Sequence, residues 1–574
     1  MSEPPQPPVP LPASPTRIGG HYPGASSPDV PSRPLSLSPL GPPAEEIKKP
    51  ATTTGGFQVH NPSPHILHEG NNAQPLDIIG ATATDKLVIV MVGLPATGKT
   101  HTSKRIQRFL EFFHDIPCSI YNVGEYRRKI CGVRMPASFY DNSNEDGKRQ
   151  RAEACEVALG DLVEYMQKPG VRVGILDATN STFERRDYVK KVIRDKKLGV
   201  KIMCIESICN DEELLAENIR TVKLNTPDYK DQDPKLAMAD FQQRRENYKK
   251  FYEGVGDRDG PHVIIHDCKK FVINRIRGYL PLKVVHFVMN LHTLPRTFFF
   301  TRHGQSEYNT LGKIGGDSGL SKSGTEYARR LGKWAKERVC VIDGKEVPAR
   351  LWTSTLRRTK ETAQFIEHPT IEAKFDDGFQ HDWIQMRPMA RRNLDELYAG
   401  SCDGMTYKEI EDVYPEEFKA RQSDKLAYRY PRGESYMDVI LRLEPLAHEM
   451  ERTREPIMII GHQGILRILY AYFMGLKRED APYVSIPLNH VLKLTPHAYG
   501  CKEERTCLLS KKEMTADGQD EPITSMPVAA SMKRVSSKNR IDKLIQEQEK
   551  EEGGTLGASP SWGPDDPVMN APSC

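Results

Sequence analysis

The chain has 574 residues, room for two large domains with tails or three to four smaller domains. Its 81 Lys and Arg nearly balance 77 Asp and Glu, leaving a formal charge of +4. That argues against nucleic-acid binding, which needs a strongly basic domain or stripe. Eleven scattered cysteines form no CxxC pair, so neither a disulfide framework nor a zinc site is expected. No apolar run approaches the roughly 18 residues of a membrane span, and the first residues have no apolar signal core. A soluble, cytoplasmic chain with reduced thiols is the expectation.

Residues 1–84 are rich in Pro, Ser and Gly and poor in long apolar side chains. Such a segment cannot bury enough surface to offset its ordering entropy, so a disordered regulatory tail is expected. A similar tail is expected over 506–574. Between them, short apolar runs alternate with longer amphipathic stretches. LVIVMVG (87–93), VRVGILD (171–177), VKIMCIES (200–207) and HVIIHD (262–267) read as buried strands separated by helices, the pattern of a parallel α/β sheet. It restarts with RTFFFTRHG (296–304), ARLWTS (349–354) and PIMIIGHQ (456–463). A junction is expected near residue 290, giving domains 85–292 and 293–505.

GLPATGKT (93–100) follows an apolar strand and precedes a helical stretch, the context a phosphate-binding loop requires. Gly93 and Gly98 let backbone N–H groups turn toward phosphate, and the helix N-terminus adds a favourable dipole. Lys99 supplies a point charge for the β- and γ-phosphates, and the Thr100 hydroxyl reaches Mg²⁺. Leu94, Pro95, Ala96 and Thr97 complete the ATP cradle. Asp177, at the end of VGILD, is the expected carboxylate for Mg²⁺; the same side chain would alternatively cap a helix starting near Ser181. Arginine clusters recur between the strands and suit an acceptor that carries its own phosphate.

In the second half, His303 stands at the carboxyl end of a strand, where open parallel sheets place their sites. Its neutral imidazole is a candidate nucleophile toward phosphorus. His462 occupies the equivalent place after a second apolar run. With Arg302 and Arg358 the pair forms a cationic pocket for a phosphoryl group. Glu396 is the candidate general acid, with Asp395 as the alternative.

These motifs, with YNVGEYRR, LDATNST, NTPDYKD, RYPRGESY and LKLTPHAYGC in order between 85 and 505, resemble the bifunctional 6-phosphofructo-2-kinase/fructose-2,6-bisphosphatase family. The resemblance implies a three-layer P-loop kinase domain followed by a phosphoglycerate mutase-like histidine phosphatase domain. It implies synthesis of fructose 2,6-bisphosphate from ATP and fructose 6-phosphate, and its hydrolysis through phosphohistidine. By motif match, Arg128, Arg151, Thr179, Arg185, Arg244 and Tyr248 contact fructose 6-phosphate. Asn218 and Lys223 join the nucleotide site, with Lys223 also at the transferred phosphate, and Cys209 lies near the kinase site. Asn309, Gly315, Tyr407, Arg421, Lys425, Tyr436, Gln463 and Arg467 fall on bisphosphate-binding positions. The chain departs from the family at Thr97, Gln305 and Gly461, and carries an extra segment, 367–391, as a lid or surface loop. The family is commonly dimeric.

Ser36 and Ser536 follow arginines in a basophilic-kinase pattern, and Ser14, Ser27 and Ser38 precede proline. Protein kinases acting on the tails are expected partners. Competing readings are a phosphatase-dominant member, a non-catalytic ATP-binding sensor or scaffold, and a nucleic-acid end-processing enzyme. The balanced charge and lack of aromatic–basic platforms count against the last.

Overall fold

The run Leu87–Val92 is buried end to end, and its alternate side chains serve two different cores. Leu87, Ile89 and Met91 point into one apolar cluster; Val88, Val90 and Val92 point into another. That is the signature of a central strand covered by helices on both faces. The computed structural model describes residues 85–220, 226–292, 296–342, 344–374, 379–497, 500–510 and 513. Ser14, Ser27, Ser36, Ser38, Ser536 and Lys223 lie outside them.

The first sheet contains β1 (Lys86–Val92), β2 (Cys118–Asn122), β3 (Val173–Asp177), β4 (Val200–Ile208), β5 (His262–His266) and β6 (Lys270–Asn274), ordered β2-β3-β1-β4-β5-β6. Its helices are α1 (Lys99–His114), α2 (Val123–Cys131), α3 (Glu145–Gln167), α4 (Phe183–Asp195), α5 (Glu212–Asn218), α6 (Pro234–Lys249) and α7 (Tyr279–Val288). The expected parallel sheet holds for β1 to β5, but β6 runs antiparallel at the edge. A tight hairpin explains the reversal: Asp267 and Cys268 take φ of 51° and 53°, the left-handed pair that turns strands back sharply.

The second sheet orders its strands β13-β10-β14-β7-β15-β16. These are β7 (Phe298–Arg302), β10 (Arg350–Thr353), β13 (Pro388–Ala390), β14 (Ile457–Gly461), β15 (His490–His497) and β16 (Gly500–Cys507); β8 (Val341–Ile342) pairs with β9 (Lys345–Glu346), and β11 (Thr370–Lys374) with β12 (Gln380–Ile384). The helices are α8 (Glu307–Thr310), α9 (Lys322–Arg338), α10 (Arg357–Ala363), α11 (Tyr407–Val413), α12 (Pro415–Ser423), α13 (Tyr436–Arg452) and α14 (Gln463–Met474). Alternation again divides two faces, with Phe298 and Phe300 in one core and Phe299 in the other. Segment 367–391 supplies the β11–β12 hairpin and the edge strand β13, and none of its described residues lines the cavity beside Glu396.

The halves share one apolar cluster, which runs from β1 and α1 through α7 to β14 and α14. Phe109 stacks on Phe287 at 4.3 Å, and Phe113 meets Tyr472 at 4.8 Å. Arg108 of α1 donates to the carbonyls of Ala471 and Tyr472 in the C-terminal turn of α14 at 2.6 and 3.1 Å, adding to the backbone N–H groups of Leu476 and Gly475 that they already accept. Buried Glu451 of α13 pairs with both Arg105 and Arg296.

Candidate active sites

The loop after β1 is shaped by backbone torsions that a glycine-rich sequence permits. Gly93 has φ of 141°, and a Cβ there would meet the Ser207 carbonyl at 2.4 Å. Gly98 caps α1 at φ of 90° with no side-chain hydrogen bond, so the first N–H groups of α1 remain for an anion. Lys99 bridges back to the Leu94 carbonyl at 2.6 Å, and Asn218 Nδ2 lies 3.5 Å from the Ala96 carbonyl. Thr97 donates to Leu94 O at 3.0 Å and its carbonyl accepts from Ser207, so this departure from the family closes the loop on itself.

Thr100 Oγ1 donates to Asp177 Oδ2 at 2.7 Å, and Asn122 Nδ2 donates to the same oxygen at 2.5 Å. The helix-cap alternative for Asp177 fails: α4 starts at Phe183 and its cap is Thr182. A hydroxyl and a carboxylate side by side at the phosphate loop are the hard oxygen donors Mg²⁺ prefers.

A cavity of about 890 Å³ opens beside them, lined by Lys99, Thr100, Asp177, Arg128, Arg151, Thr179, Arg185, Arg244 and Tyr248. Motif residues from five separate segments thus converge on one pocket. Asp228 arranges its arginines, lying 2.6 Å from Arg127, 3.4 Å from Arg128 and 3.9 Å from Arg244. These arginines hold its carboxyl below the usual range against the upward push of burial. Arg244 stacks over Tyr140 at 3.8 Å, and its buried Nε has no protein partner. Sequence reasoning placed Arg127 only within the arginine cluster NVGEYRR and missed Asn122, Tyr140 and Asp228 as site residues, although Asp228 lies within the quoted NTPDYKD. Cys209 is buried, and its thiol is pushed up by burial, away from thiolate chemistry.

In the second half, strand register builds the site. Arg302 on β7 pairs with Gly461 on β14, so the next residues, His303 and His462, leave neighbouring strand ends together. Their ring centroids are 5.1 Å apart. His303 Nδ1 contacts the Gly304 carbonyl at 2.7 Å, which places the proton on Nδ1 and leaves Nε2 unprotonated. Arg358 Nε donates to that Nε2 at 3.2 Å. Burial, with Arg358 and Arg302 nearby, holds His303 well below its ordinary pKa, so it stays neutral. Gly304 is needed for close approach: a Cβ would lie 2.4 Å from the Gly324 carbonyl. Gln305 is buried and accepts from Ser321 at 3.1 Å. Gly461 lies on β14, where a Cβ would make ordinary contact with Leu466.

Arg302 donates to Ile486 O at 3.3 Å, and its buried Nε has no protein partner. His462 is fully buried, with Nε2 at 2.7 Å from Ser354 Oγ and no protein partner for Nδ1. Such orphaned buried polar atoms fit an absent anion. Glu396 accepts from the Gly464 N–H at 3.2 Å, while Asp395 is taken up by Thr355 at 2.7 Å. Gly315 sits at φ of 69° against Asp403, and Gly315 and Glu396 line one cavity of about 560 Å³. Asn309 Oδ1 caps its own helix from Ser306 N, so that oxygen is already engaged.

A second basic cluster gathers from α11 to α14. Arg421 donates to Tyr407 at 3.1 Å, Arg467 to Tyr436 at 3.3 Å, and Lys425 to Pro482 O at 2.9 Å. Burial, then Arg467 and Arg421, lowers Lys425 to about 7. Gln463 opens α14 immediately after His462.

A profile described as 6-phosphofructo-2-kinase matches residues 76–295, and one described as the histidine phosphatase superfamily, branch 1, matches 298–507. The rat 6-phosphofructo-2-kinase/fructose-2,6-bisphosphatase 3 is 39% identical over 470 residues, covering 81% of this chain and 80% of the rat protein. The human protein of that name is 40% identical, covering 73% and 76%. The yeast protein named fructose-2,6-bisphosphatase is 42% identical, covering 73% and 87%. A mycobacterial glucosyl-3-phosphoglycerate phosphatase structure aligns with 37% of this chain and 98% of its own at a TM-score of 0.30. With two catalytic cradles in this order and such relatives over most of its length, the chain belongs to the 6-phosphofructo-2-kinase/fructose-2,6-bisphosphatase family.

Proposed function

We propose that residues 85–292 make fructose 2,6-bisphosphate from ATP and fructose 6-phosphate, and that residues 293–505 hydrolyse it, so that the chain sets the level of this regulator of glycolysis and gluconeogenesis. In the first half, Gly93 to Thr100 with Asn218 hold ATP, and Lys99 and Lys223 neutralise charge on the moving phosphoryl group. Thr100 and Asp177 would hold Mg²⁺, which supplies Lewis-acid shielding of the phosphates when bound. Arg128, Arg151, Thr179, Arg185, Arg244 and Tyr248 hold fructose 6-phosphate with its 2-hydroxyl toward ATP.

In the second half, His303 Nε2 attacks the 2-phosphoryl group, an N–P bond forms and the P–O bond breaks. Glu396 gives its proton to the departing sugar oxygen. It then takes a proton from water, which attacks phosphorus and releases His303 and phosphate. Arg302, Arg358 and His462 hold the phosphoryl oxygens. Tyr407, Arg421, Lys425, Tyr436 and Arg467 hold the 6-phosphate, and Asn309, Gly315 and Gln463 border the bisphosphate. A substrate charged at both ends requires both clusters.

The observation that carries this reading is the pair of buried, neutral imidazoles, with the Gly304 carbonyl holding the His303 proton on Nδ1 and Arg358 directed at the unprotonated Nε2. Cytoplasmic location is supported by the absence, among the described residues, of any helix long and apolar enough to cross a membrane. Homodimerisation is supported by β6, a sheet-edge strand with Val272 and Ile273 exposed. Protein kinases acting at Ser36 and Ser536 would tune the two activities. A phosphatase-dominant balance is the second reading, favoured by the hydrolase-only name of the yeast relative.

The test is to incubate the purified chain with ATP, Mg²⁺ and fructose 6-phosphate, and separately with fructose 2,6-bisphosphate. Lys99→Met is expected to lower synthesis about 10³-fold and leave hydrolysis intact. His303→Ala is expected to lower hydrolysis by about 10⁴-fold or more and leave synthesis intact. Neither reaction in the unaltered chain would leave a scaffold.

A further inference from the structure

Ser354 and Thr359 are completely buried beside His462 and take no part in the mechanism above. Ser354 Oγ lies 2.7 Å from His462 Nε2 and 2.9 Å from Thr359 Oγ1, and accepts the Leu356 N–H at 3.2 Å. Two arrangements of hydrogens fit these distances. In one, His462 Nε2–H donates to Ser354 and Nδ1 carries a bare lone pair. In the other, Thr359 donates to Ser354, Ser354 donates to Nε2, and the proton sits on Nδ1. Two backbone carbonyls compete for the Thr359 hydroxyl, that of Leu356 at 2.8 Å and that of Ser354 at 3.2 Å, and the Leu356 carbonyl also receives the Thr359 backbone N–H at 3.2 Å.

What faces the ring decides between them. His303 and His462 stand 5.1 Å apart, so a phosphoryl group on His303 comes within reach of the second ring. A lone pair on Nδ1 would repel its oxygens, whereas an N–H would bind them. Nδ1 is buried without a protein partner, as a donor reserved for such a group would be.

We propose that the Thr359–Ser354 hydroxyl pair is a positioning device that keeps the His462 proton on Nδ1, so that its N–H donates to the phosphoryl group transferred to His303. The proposal rests on the phosphohistidine reading. It gives α10 a double task. Thr362, one turn beyond Arg358, accepts the Gly304 N–H at 2.9 Å, and the Gly304 carbonyl orients His303. One short helix thereby sets the tautomers of both imidazoles.

Arg302 on β7, Arg358 on α10, Arg442 on α13 and the His303 ring act on His462 electrostatically, and with burial they keep it neutral. Glu396 reaches the same end of α14 through Gly464. Ser354→Ala removes the donor that stabilises the neutral ring, so the pKa of His462 rises. Once protonated, the ring carries an Nδ1–H whatever its neighbour.

The experiment measures hydrolysis and synthesis on one preparation each of the unaltered chain, Ser354→Ala, Thr359→Val and the double variant, across pH. Synthesis reports folding, and the near-isosteric Thr359→Val carries the test should Ser354→Ala lose synthesis too. Each single variant is expected to lower hydrolytic kcat on the order of ten- to a hundredfold near neutral pH, with little change in KM. The double variant should match the worse single one, and the deficit should shrink as pH falls. Wild-type rates in both variants, or additive losses constant with pH, would overturn the proposal. No hydrolysis by the unaltered chain would instead remove the phosphohistidine reading beneath it.

Discussion

In the first half, Arg127, Arg128 and Arg244 lean on one carboxylate, Asp228. In the second, Arg302 and Arg358 donate only to backbone carbonyls and to His303, with no carboxylate at ion-pair distance among the described residues. The difference follows the chemistry assigned to each half. A wide pocket that admits and releases a sugar phosphate keeps its cations partly neutralised, which lowers the penalty of leaving them buried and empty. A pocket that receives a phosphoryl group onto nitrogen keeps its cations out of direct ion pairs, with Glu396 and neighbouring carboxylates acting only at longer range, so more of their field is left for the charge that develops. Protonation follows the same division. Burial keeps both imidazoles neutral, and Glu396, the proposed general acid, stands apart on the loop before α11.

The sharpest test of the contrast is Glu396→Gln. Removing the proton donor is expected to lower hydrolytic kcat by about 10²–10⁴-fold while synthesis continues at its own rate, measured on the same preparation. A smaller effect belongs to the compensated pocket. Arg244→Met removes one charged contact and is expected to raise KM for fructose 6-phosphate about ten- to a hundredfold, with kcat of hydrolysis unchanged. The smallest concerns Lys425. With a pKa lowered to about 7, its ammonium is present below that value and lost above it. The KM for fructose 2,6-bisphosphate should therefore rise severalfold from pH 6 to pH 8, and Lys425→Met should flatten that rise.

Much of both sites was legible because phosphate chemistry leaves compact signatures. GLPATGKT and RHG each place a cradle within a few residues of a strand end. The motif arginines were legible only as a scattered set; five segments had to fold together before Arg128, Arg151, Arg185 and Arg244 lined one cavity. Asp228 and Ser354 were invisible as site residues for a different reason. Each acts through another side chain, and a carboxylate or hydroxyl in a loop is ordinarily a solvated group. Segment 367–391 was misjudged because its short strands alternate weakly: Gln380–Ile384 and Pro388–Ala390 are mostly exposed, so no buried face marks them. Strand β6 escaped for the same reason: Lys270, Val272 and Ile273 are exposed and the other two residues only half-buried.

The sequence by itself determined the strands of both parallel cores, the phosphate loop with its lysine, and the two histidines, because buried apolar runs and glycine turns are local properties. Tertiary structure alone decided three further things. The pairing of Arg302 with Gly461 brings two imidazoles 159 residues apart in sequence to one point by strand register. The packing of α1 against α13 and α14 gives both halves a continuous core. The contacts of the Gly304 carbonyl with His303 and of the Ser354 hydroxyl with His462 form only once these segments meet. Register, packing and these contacts depend on which surfaces meet, and that is a property of the folded chain.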